Sequence, residues 1–354
     1  MTKMRAAVLR EFGGPEGIVL EDDFEQLPLG PGDMRVRVGA CSLNALDVFT
    51  RRGLPGVKLP LPHILGGDVA GWVEEVENEA DAHLVGRPVL VDPLCVGYRG
   101  WPAGVFGEHH WGGLAEYLVA PAANAIPLDG VDAEGLRPYA ALPIAYGTAY
   151  RMVHERAQLQ PDETMLVLGA AGGVGVACIQ LGRRLGAKVI ACSTSDDKLE
   201  ILRKIGADEV INTSRDSFSK KTWELTGKRG ADVVVDYIGH DTFADSIRAA
   251  RMPDLASVGG RIVTCGASSG FEVSLDMRYV WTKEVDIRGS NGWRRHELMA
   301  LVDLVRTGEL DPVIDAVFPL SRVHEAVDVL EGRTVLGKVL VVPDAVLAEA
   351  GEQA

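Results

Sequence analysis

Cysteine, positive charge and long apolar runs are all scarce in this chain, and each scarcity excludes something. Its 354 residues hold five cysteines, at 41, 95, 178, 192 and 265, with no Cys-x-x-Cys pair among them. Such scattered usage predicts a reduced, cytoplasmic protein without disulfides. Thirty-six Lys and Arg stand against 50 Asp and Glu, a net charge of −14. That balance argues against nucleic acid or an anionic membrane surface as partner. A phosphorylated small molecule is still compatible, because it reads only local charge. No apolar run reaches ~18 residues, and no basic segment with an apolar core opens the chain. Neither a membrane span nor a signal peptide is therefore expected. Internal repeats and low-complexity segments are absent too, and no Ser/His/Asp or Cys/His constellation points to covalent catalysis. What remains is ordinary globular material, 47% hydrophobic and 24% charged. The length allows two domains on the usual prior of about 100–200 residues each.

The most informative stretch present is Gly169-Ala170-Ala171-Gly172-Gly173-Val174-Gly175. Met165-Leu166-Val167-Leu168 before it reads as a buried parallel strand. Val174, Ala177, Cys178, Leu181 and Leu185 after it recur at helical spacing, and Gly186 closes the run. Strand, glycine turn and helix let backbone N–H groups at a helix N-terminus hold a pyrophosphate. Lys188-Val189-Ile190-Ala191-Cys192 follows as the next strand and completes a βαβ frame.

Up to about residue 125 the chain consists of short strands and Gly/Pro-rich turns, such as Arg5–Leu9, Met34–Val38, Val69–Val76 and Arg87–Val91. From about 140, strands alternate with helices, the pattern of a doubly wound parallel sheet. Strands are expected at 165–168, 188–192, 209–211, 232–236, 261–265 and 285–288. Ser195 is the expected N-cap of a helix that Gly206 stops. After Arg294 a helix, a strand near Ala316–Phe318, a helix near 321–331 and a strand at Gly337–Val341 are expected. The last residues, Glu349 and Glu352 among them, carry no periodic signal and read as a frayed tail.

Several stretches together carry a family resemblance: Gly66-Gly67-Asp68-Val69-Ala70-Gly71, Gly112-Gly113-Leu114-Ala115-Glu116-Tyr117, Leu142-Pro143 with Thr148-Ala149-Tyr150, the glycine loop, Gly206-Ala207-Asp208 and Gly337-Lys338-Val339. Through them the chain resembles the medium-chain dehydrogenase/reductase superfamily over nearly its full length. The resemblance implies an α/β protein with a Rossmann doubly wound parallel sheet plus a GroES-like, mostly β catalytic domain. The implied division is 1–130 catalytic, 131–293 Rossmann, 294–345 returning to the catalytic domain, and 346–354 a flexible tail. The zinc branch of the family places Cys, His and Cys where this chain has Asn44, Gly67 and Ile144. A catalytic zinc needs about three protein ligands, and neither Gly67 nor Ile144 can supply a side-chain donor. The four-cysteine structural site of that branch falls at 95–111, where only Cys95 is present. Asn44-Ala45-Leu46-Asp47-Val48-Phe49-Thr50-Arg51-Arg52-Gly53 instead resembles the zinc-free quinone oxidoreductase branch, zeta-crystallin included. His109 and His110 adjoin, but neighbours on a strand face opposite ways. They are expected in a surface loop, lining the substrate entrance, rather than on a metal.

An acid at the tip of the second Rossmann strand binds the 2′-OH of NAD and repels the 2′-phosphate of NADP. Here the strand ends Ala191-Cys192-Ser193-Thr194-Ser195, without an acid. Ser195 to Lys198 reproduces the Ser-x-x-Lys arrangement of the resembling quinone reductases, so NADPH is the expected cofactor. Asp196 and Asp197 oppose that reading unless they serve only as first-turn helix acids, and Thr213 stands where the branch often has Tyr. The candidate cofactor residues are Thr148, Ala170, Gly172, Gly173, Val174, Gly175, Ser193, Ser195, Lys198, Gly239, Gly266 and Lys338. Asn44 and Asp47 are the candidate catalytic residues. Without zinc a developing oxyanion needs hydrogen-bond donors, and Asn44 offers an amide, unless that amide stabilises its own turn. Asp47 is expected to orient a loop or a pocket Arg. The resulting expectation is hydride transfer from NADPH to a quinone or other conjugated carbonyl compound. Enoyl-thioester reduction and a crystallin-like binding role with little turnover are the alternatives; Phe49 holds one position where the former could use a Tyr. The resemblance also implies a homodimer or homotetramer, through the Rossmann sheet edge.

Overall fold

The computed structural model describes residues 2–54, 56, 58–255 and 257–351. These divide into two compact units, Met1–Ile144 with Leu298–Ala354, and Ala145–Glu297. The first unit thus reaches past residue 130 and takes in the helix Leu136–Ala140.

The first unit is built on a seven-stranded sheet. Its main path runs Ala125–Pro127, Pro88–Val91, Asp68–Val76, Asp33–Leu43, Lys338–Val342, Ile314–Pro319. Asp33–Leu43 is the organising strand, because its two halves have different neighbours on one edge. Met34 to Arg37 pair with Ala120 to Tyr117, and Cys41 to Leu43 pair antiparallel with Val341 to Val339. On the other edge Ser42 lies opposite Asp68. This register brings residues 42–44, 68 and 338 together, although the chain separates them widely. Alternating Val36, Val38, Val69, Val73, Val89, Val339 and Val341 are all buried, as expected for a sheet with a covered face.

The second unit is a six-stranded parallel sheet in the order Glu209–Asn212, Lys188–Ser193, Thr164–Val167, Val233–Val235, Arg261–Thr264, Asp286–Gly289. Numbered by sequence this is 3-2-1-4-5-6, the doubly wound Rossmann order. The inner strands read Thr-Met-Leu-Val and Val-Val-Val and are buried throughout, because helices cover both faces of such a sheet. Helix Gly173–Arg184 starts beside the central strand's C-terminal end, where the strand order reverses. Ser195 caps the helix Asp196–Ile205, its Oγ accepting the Lys198 N–H, and Gly206 ends that helix at φ +134°.

The chain's end corrects the expectation of a tail. Asp344–Glu349 is a helix with Val346 and Leu347 buried, and Glu349 pairs with Arg37 at 3.1 Å. Its apolar residues fall on too short a run for periodicity to register. Residues 352–354 lie outside the described residues.

Candidate functional site

In the first unit the strand register gathers a buried polar cluster. The Lys338 ammonium donates to the Leu43 carbonyl (3.1 Å), Asn44 Oδ1 (2.5 Å) and Asp68 Oδ2 (3.3 Å). Asn44 Nδ2 donates to Asp68 Oδ2 at 2.9 Å and to the Ser42 carbonyl at 3.3 Å. Ser42 Oγ reaches the same Asp68 oxygen, and the Ile144 N–H holds the other at 2.8 Å. Asn44, Asp68 and Lys338 are all buried. Two expectations are corrected here. Both amide N–H groups of Asn44 are occupied by protein acceptors, so the side chain as placed offers no donor to a substrate oxygen. Lys338, expected at the cofactor, has all three N–H groups engaged inside the first unit.

Asp47 is also buried, three residues into the turn. Its carboxylate accepts the Asn44 N–H and the Gly66 N–H, both at 2.7 Å. It therefore ties the start of helix Ala45–Arg52 to the Gly66-Gly67 turn. Burial lifts its carboxyl to about 6, against those two N–H groups, which hold it down. Arg51 pairs instead with Glu331 at 2.6 Å.

The three positions at which a zinc would find ligands now have a spatial meaning. A Cβ added at Gly67 would stand 2.7 Å from Ile144 Cδ1 and 2.6 Å from the Phe106 carbonyl oxygen. The isoleucine fills the space that a ligating side chain at 67 would need. Among the described residues, three potential ligand atoms lie within 4.8 Å of one another only at Glu155, His296 and Glu297. There Glu297 is already held by Arg151 (2.6 Å) and by the Arg294 N–H (2.5 Å).

The region 95–111 holds itself together without a cysteine set. His110 is buried, its ring 4.9 Å from Tyr98 and 5.6 Å from Phe106. His109 meets Trp101 edge-on at 4.7 Å. The expectation of a surface loop is thus corrected for His110, which acts as a core aromatic. Tyr98 comes from a hairpin, Leu94–Tyr98 with Trp101–Val105, whose short strands give little periodic signal, and Phe106 follows directly after it. Burial lowers His110 to about 4, and does the same to His63, whose Nε2 lies 3.1 Å from the Gly107 carbonyl.

In the second unit the glycines divide by task. A Cβ at Gly175 would stand 2.6 Å from Ala170 Cα, so this glycine lets the helix pack on its strand. At Gly172, the N-cap, the only neighbour within 4 Å would be the Gly169 carbonyl oxygen at 3.7 Å, and at Gly266 nothing. Space is therefore open over an N-terminus whose first N–H groups lack intrahelical acceptors. That opening fits a pyrophosphate, and a side chain would fill it. Gly239 differs: its Cβ would strike Ala267 and the Gly270 carbonyl, so its glycine is required by a tight turn. Thr148 is buried in the helical segment Thr148–Tyr150.

Three residues escaped the sequence reading. Asp68 had a signal, a lone acid inside an apolar stretch. Tyr237 had none; its hydroxyl donates to the Gly169 carbonyl at 2.8 Å and takes a bond from the Gly175 N–H, which braces the glycine turn. Arg215 lies on the loop after a neighbouring strand and grips Asp196 with Nη1 and Nη2 at 2.7 and 2.8 Å. Asp196 also accepts Asn212 Nδ2 at 2.8 Å. The Arg215 and Asn212 bonds hold its carboxyl below the usual range.

Comparison with known proteins agrees with this geometry. Residues 30–130 match the family described as "Alcohol dehydrogenase GroES-like domain", and 173–307 that described as "Zinc-binding dehydrogenase". A "Quinone oxidoreductase-like protein 2 homolog" of Nematostella vectensis is 32% identical over 350 residues, 95% of this chain and 88% of that one. The "Quinone oxidoreductase" of Homo sapiens is 30% identical over 346 residues, 95% and 97% of the two chains. Among solved structures, an NAD-dependent alcohol dehydrogenase superposes with a TM-score of 0.86 at 36% identity, covering 96% and 99%. The 2-octenoyl-CoA carboxylase reductase CinF, in complex with NADP and 2-octenoyl-CoA, does so at 0.82 and 27%, covering 97% and 88%. This chain is an oxidoreductase of the medium-chain dehydrogenase/reductase superfamily. Within that superfamily it belongs to the quinone oxidoreductase branch.

Proposed function

We propose that the chain reduces a quinone or another conjugated carbonyl compound at the expense of NADPH, without zinc. The observation that carries the zinc-free part is the first unit's cluster. Where a zinc enzyme would need three ligands, this chain has an amide, a glycine and an isoleucine that fills the gap. A buried Lys338 ammonium already serves Asn44 and Asp68 as their cation. Without a metal to lower an alcohol's pKa, alcohol oxidation is disfavoured. Acceptors that take hydride readily are favoured.

Gly172, Gly173, Val174 and Gly175 would hold the pyrophosphate, with Tyr237 bracing the turn from below. Ser193, Ser195 and Lys198 would face the adenosine ribose. Bound there, NADPH supplies the hydride, and the chain's residues supply position and electrostatics. Asn44 and Asp47 are positioning residues in this reading: they fix the 44–47 and 66–68 turns against each other. All five cysteines are unpaired, four of them buried, which supports a reducing, cytoplasmic setting. No described helix is long and apolar enough to cross a membrane.

Self-association is part of the proposal. Asp286–Gly289 is an edge strand with Ile287 exposed, and the helix leading into it exposes Met277 and Trp281. An unpaired apolar edge of this kind suits a second copy of the chain.

The test is NADPH oxidation with quinones, simple enones and a 2-enoyl thioester, in chelator, alongside elemental analysis. Turnover of quinones or enones in metal-free protein supports the reading. About one zinc per chain, with activity lost on chelation and restored by metal, overturns it. The likeness to CinF favours a second reading, enoyl-thioester reduction, and exclusive turnover of the thioester would select it.

A further inference from the structure

We propose that Arg215 decides which nicotinamide dinucleotide the second unit takes, by cancelling the Asp196 carboxylate at the edge that meets the adenosine ribose. The proposal rests on the NADPH reading above and assigns it a residue that the strand tip alone does not reveal.

Ser193 and Asn212 are register partners at the ends of adjacent parallel strands. Helix Asp196–Ile205 begins just beyond Ser193, and the loop carrying Arg215 begins just beyond Asn212. Asp196 thus stands between the two tips, fixed by the Asn212 amide on one side and by both terminal nitrogens of Arg215 on the other.

Charge decides what such an edge prefers. Without Arg215, the helix start holds one cation, Lys198, and two acids, Asp196 and Asp197, an excess of one negative charge. A carboxylate there suits a ribose 2′-OH and repels a 2′-phosphate. Arg215 offsets the Asp196 charge, although its Nε also lies 3.8 Å from Asp216, and the helix N-terminus adds its own positive end. A guanidinium fork also matches phosphate oxygens in a way that a hydroxyl cannot exploit. The Arg215–Asp196 pair is 62% and 58% exposed, so the contact contributes little to stability. Arg215 can therefore exchange its carboxylate partner for a phosphate at small cost, while Asn212 keeps Asp196 in place.

Calorimetric titration of the full chain with 2′,5′-ADP and 5′-AMP separates the possibilities, since the two ligands differ only in the deciding phosphate. Arg215→Ala should weaken 2′,5′-ADP by about tenfold or more and leave 5′-AMP within about twofold. Arg215→Lys should recover part of the loss, because it restores the charge without the fork. Asp196→Asn should tighten 2′,5′-ADP at low salt and lose that gain at high salt. The proposal is overturned if Arg215→Ala binds 2′,5′-ADP like wild type, or weakens both ligands equally. A wild-type chain that prefers neither ligand overturns the NADPH reading itself. Circular dichroism of each variant checks that the fold is intact.

Discussion

Lys338 satisfies three acceptors with three N–H groups, so its removal strands Asp68 in the interior without a cation. Breaking one side of a buried pair costs roughly 3–5 kcal/mol. Lys338→Met should lower the unfolding free energy by about that much in urea at neutral pH, and adding Asp68→Asn should restore most of it. Asn44→Ala leaves Lys338 and Asp68 each one partner short, a loss of about 1–3 kcal/mol. Because the amide as placed has no N–H left for substrate, the proposed hydride transfer, measured by stopped flow, should slow only modestly. A true oxyanion donor would cost about 10²–10³-fold, and a loss of that size with NADPH affinity intact would restore Asn44 to the donor role. The resemblance of the Asn44 to Gly53 stretch made Asn44 and Asp47 conspicuous. It could not tell where the amide points, since its deciding partner Lys338 comes 294 residues later.

Helix Gly173–Arg184 and its strand show what was legible at the scale of elements. Strand, glycine turn and helix are local, so spacing alone located them, and the strand positions agree with the expected ones to within a residue or two. The two glycines at the turn should separate cleanly on mutation. Gly175→Ala presses a methyl against the Ala170 backbone, which should cost about 1–3 kcal/mol of stability as overpacking. Gly172→Ala meets almost nothing in the free protein, so its melting temperature should hold while nucleotide titration shows lost affinity. Equal effects in both assays for both variants would contradict this division. Elements set by distant pairing were less legible. The hairpin at 94–105 and the helix at 344–349 are short, and packing rather than periodicity defines them. Arg215 belongs with them, because only the parallel register of two strands brings it to Asp196.

For the molecule as a whole, acid should destabilise, and the sign follows from three buried groups. His63 and His110 sit near 4 when folded, below their ordinary 6.5. Their contribution is present above pH 6.5 and is lost as pH falls through 4, because the unfolded chain protonates first. Asp47 opposes them: raised to about 6 from 3.8, it contributes below 3.8 and loses that contribution as pH rises through 6. Two groups outweigh one, so urea midpoints should fall between pH 6.5 and 4. His110→Phe, an apolar ring between Tyr98 and Phe106, should flatten that fall; an unchanged slope would remove His110 from the account. Self-association is checked by sedimentation, where Trp281→Glu should shift the chain toward a single copy. The placement of Lys338–Val342 inside the first unit's sheet also has a consequence for biosynthesis. The Rossmann unit is one continuous segment and is complete before residue 338 leaves the ribosome. The first unit, begun earlier, must wait, with half of one edge of Asp33–Leu43 bare and Asp68 without its counter-ion. The nucleotide-binding half therefore matures first, and the interval before the C-terminal strand arrives is when a nascent chain is most exposed to chaperones and to mispairing.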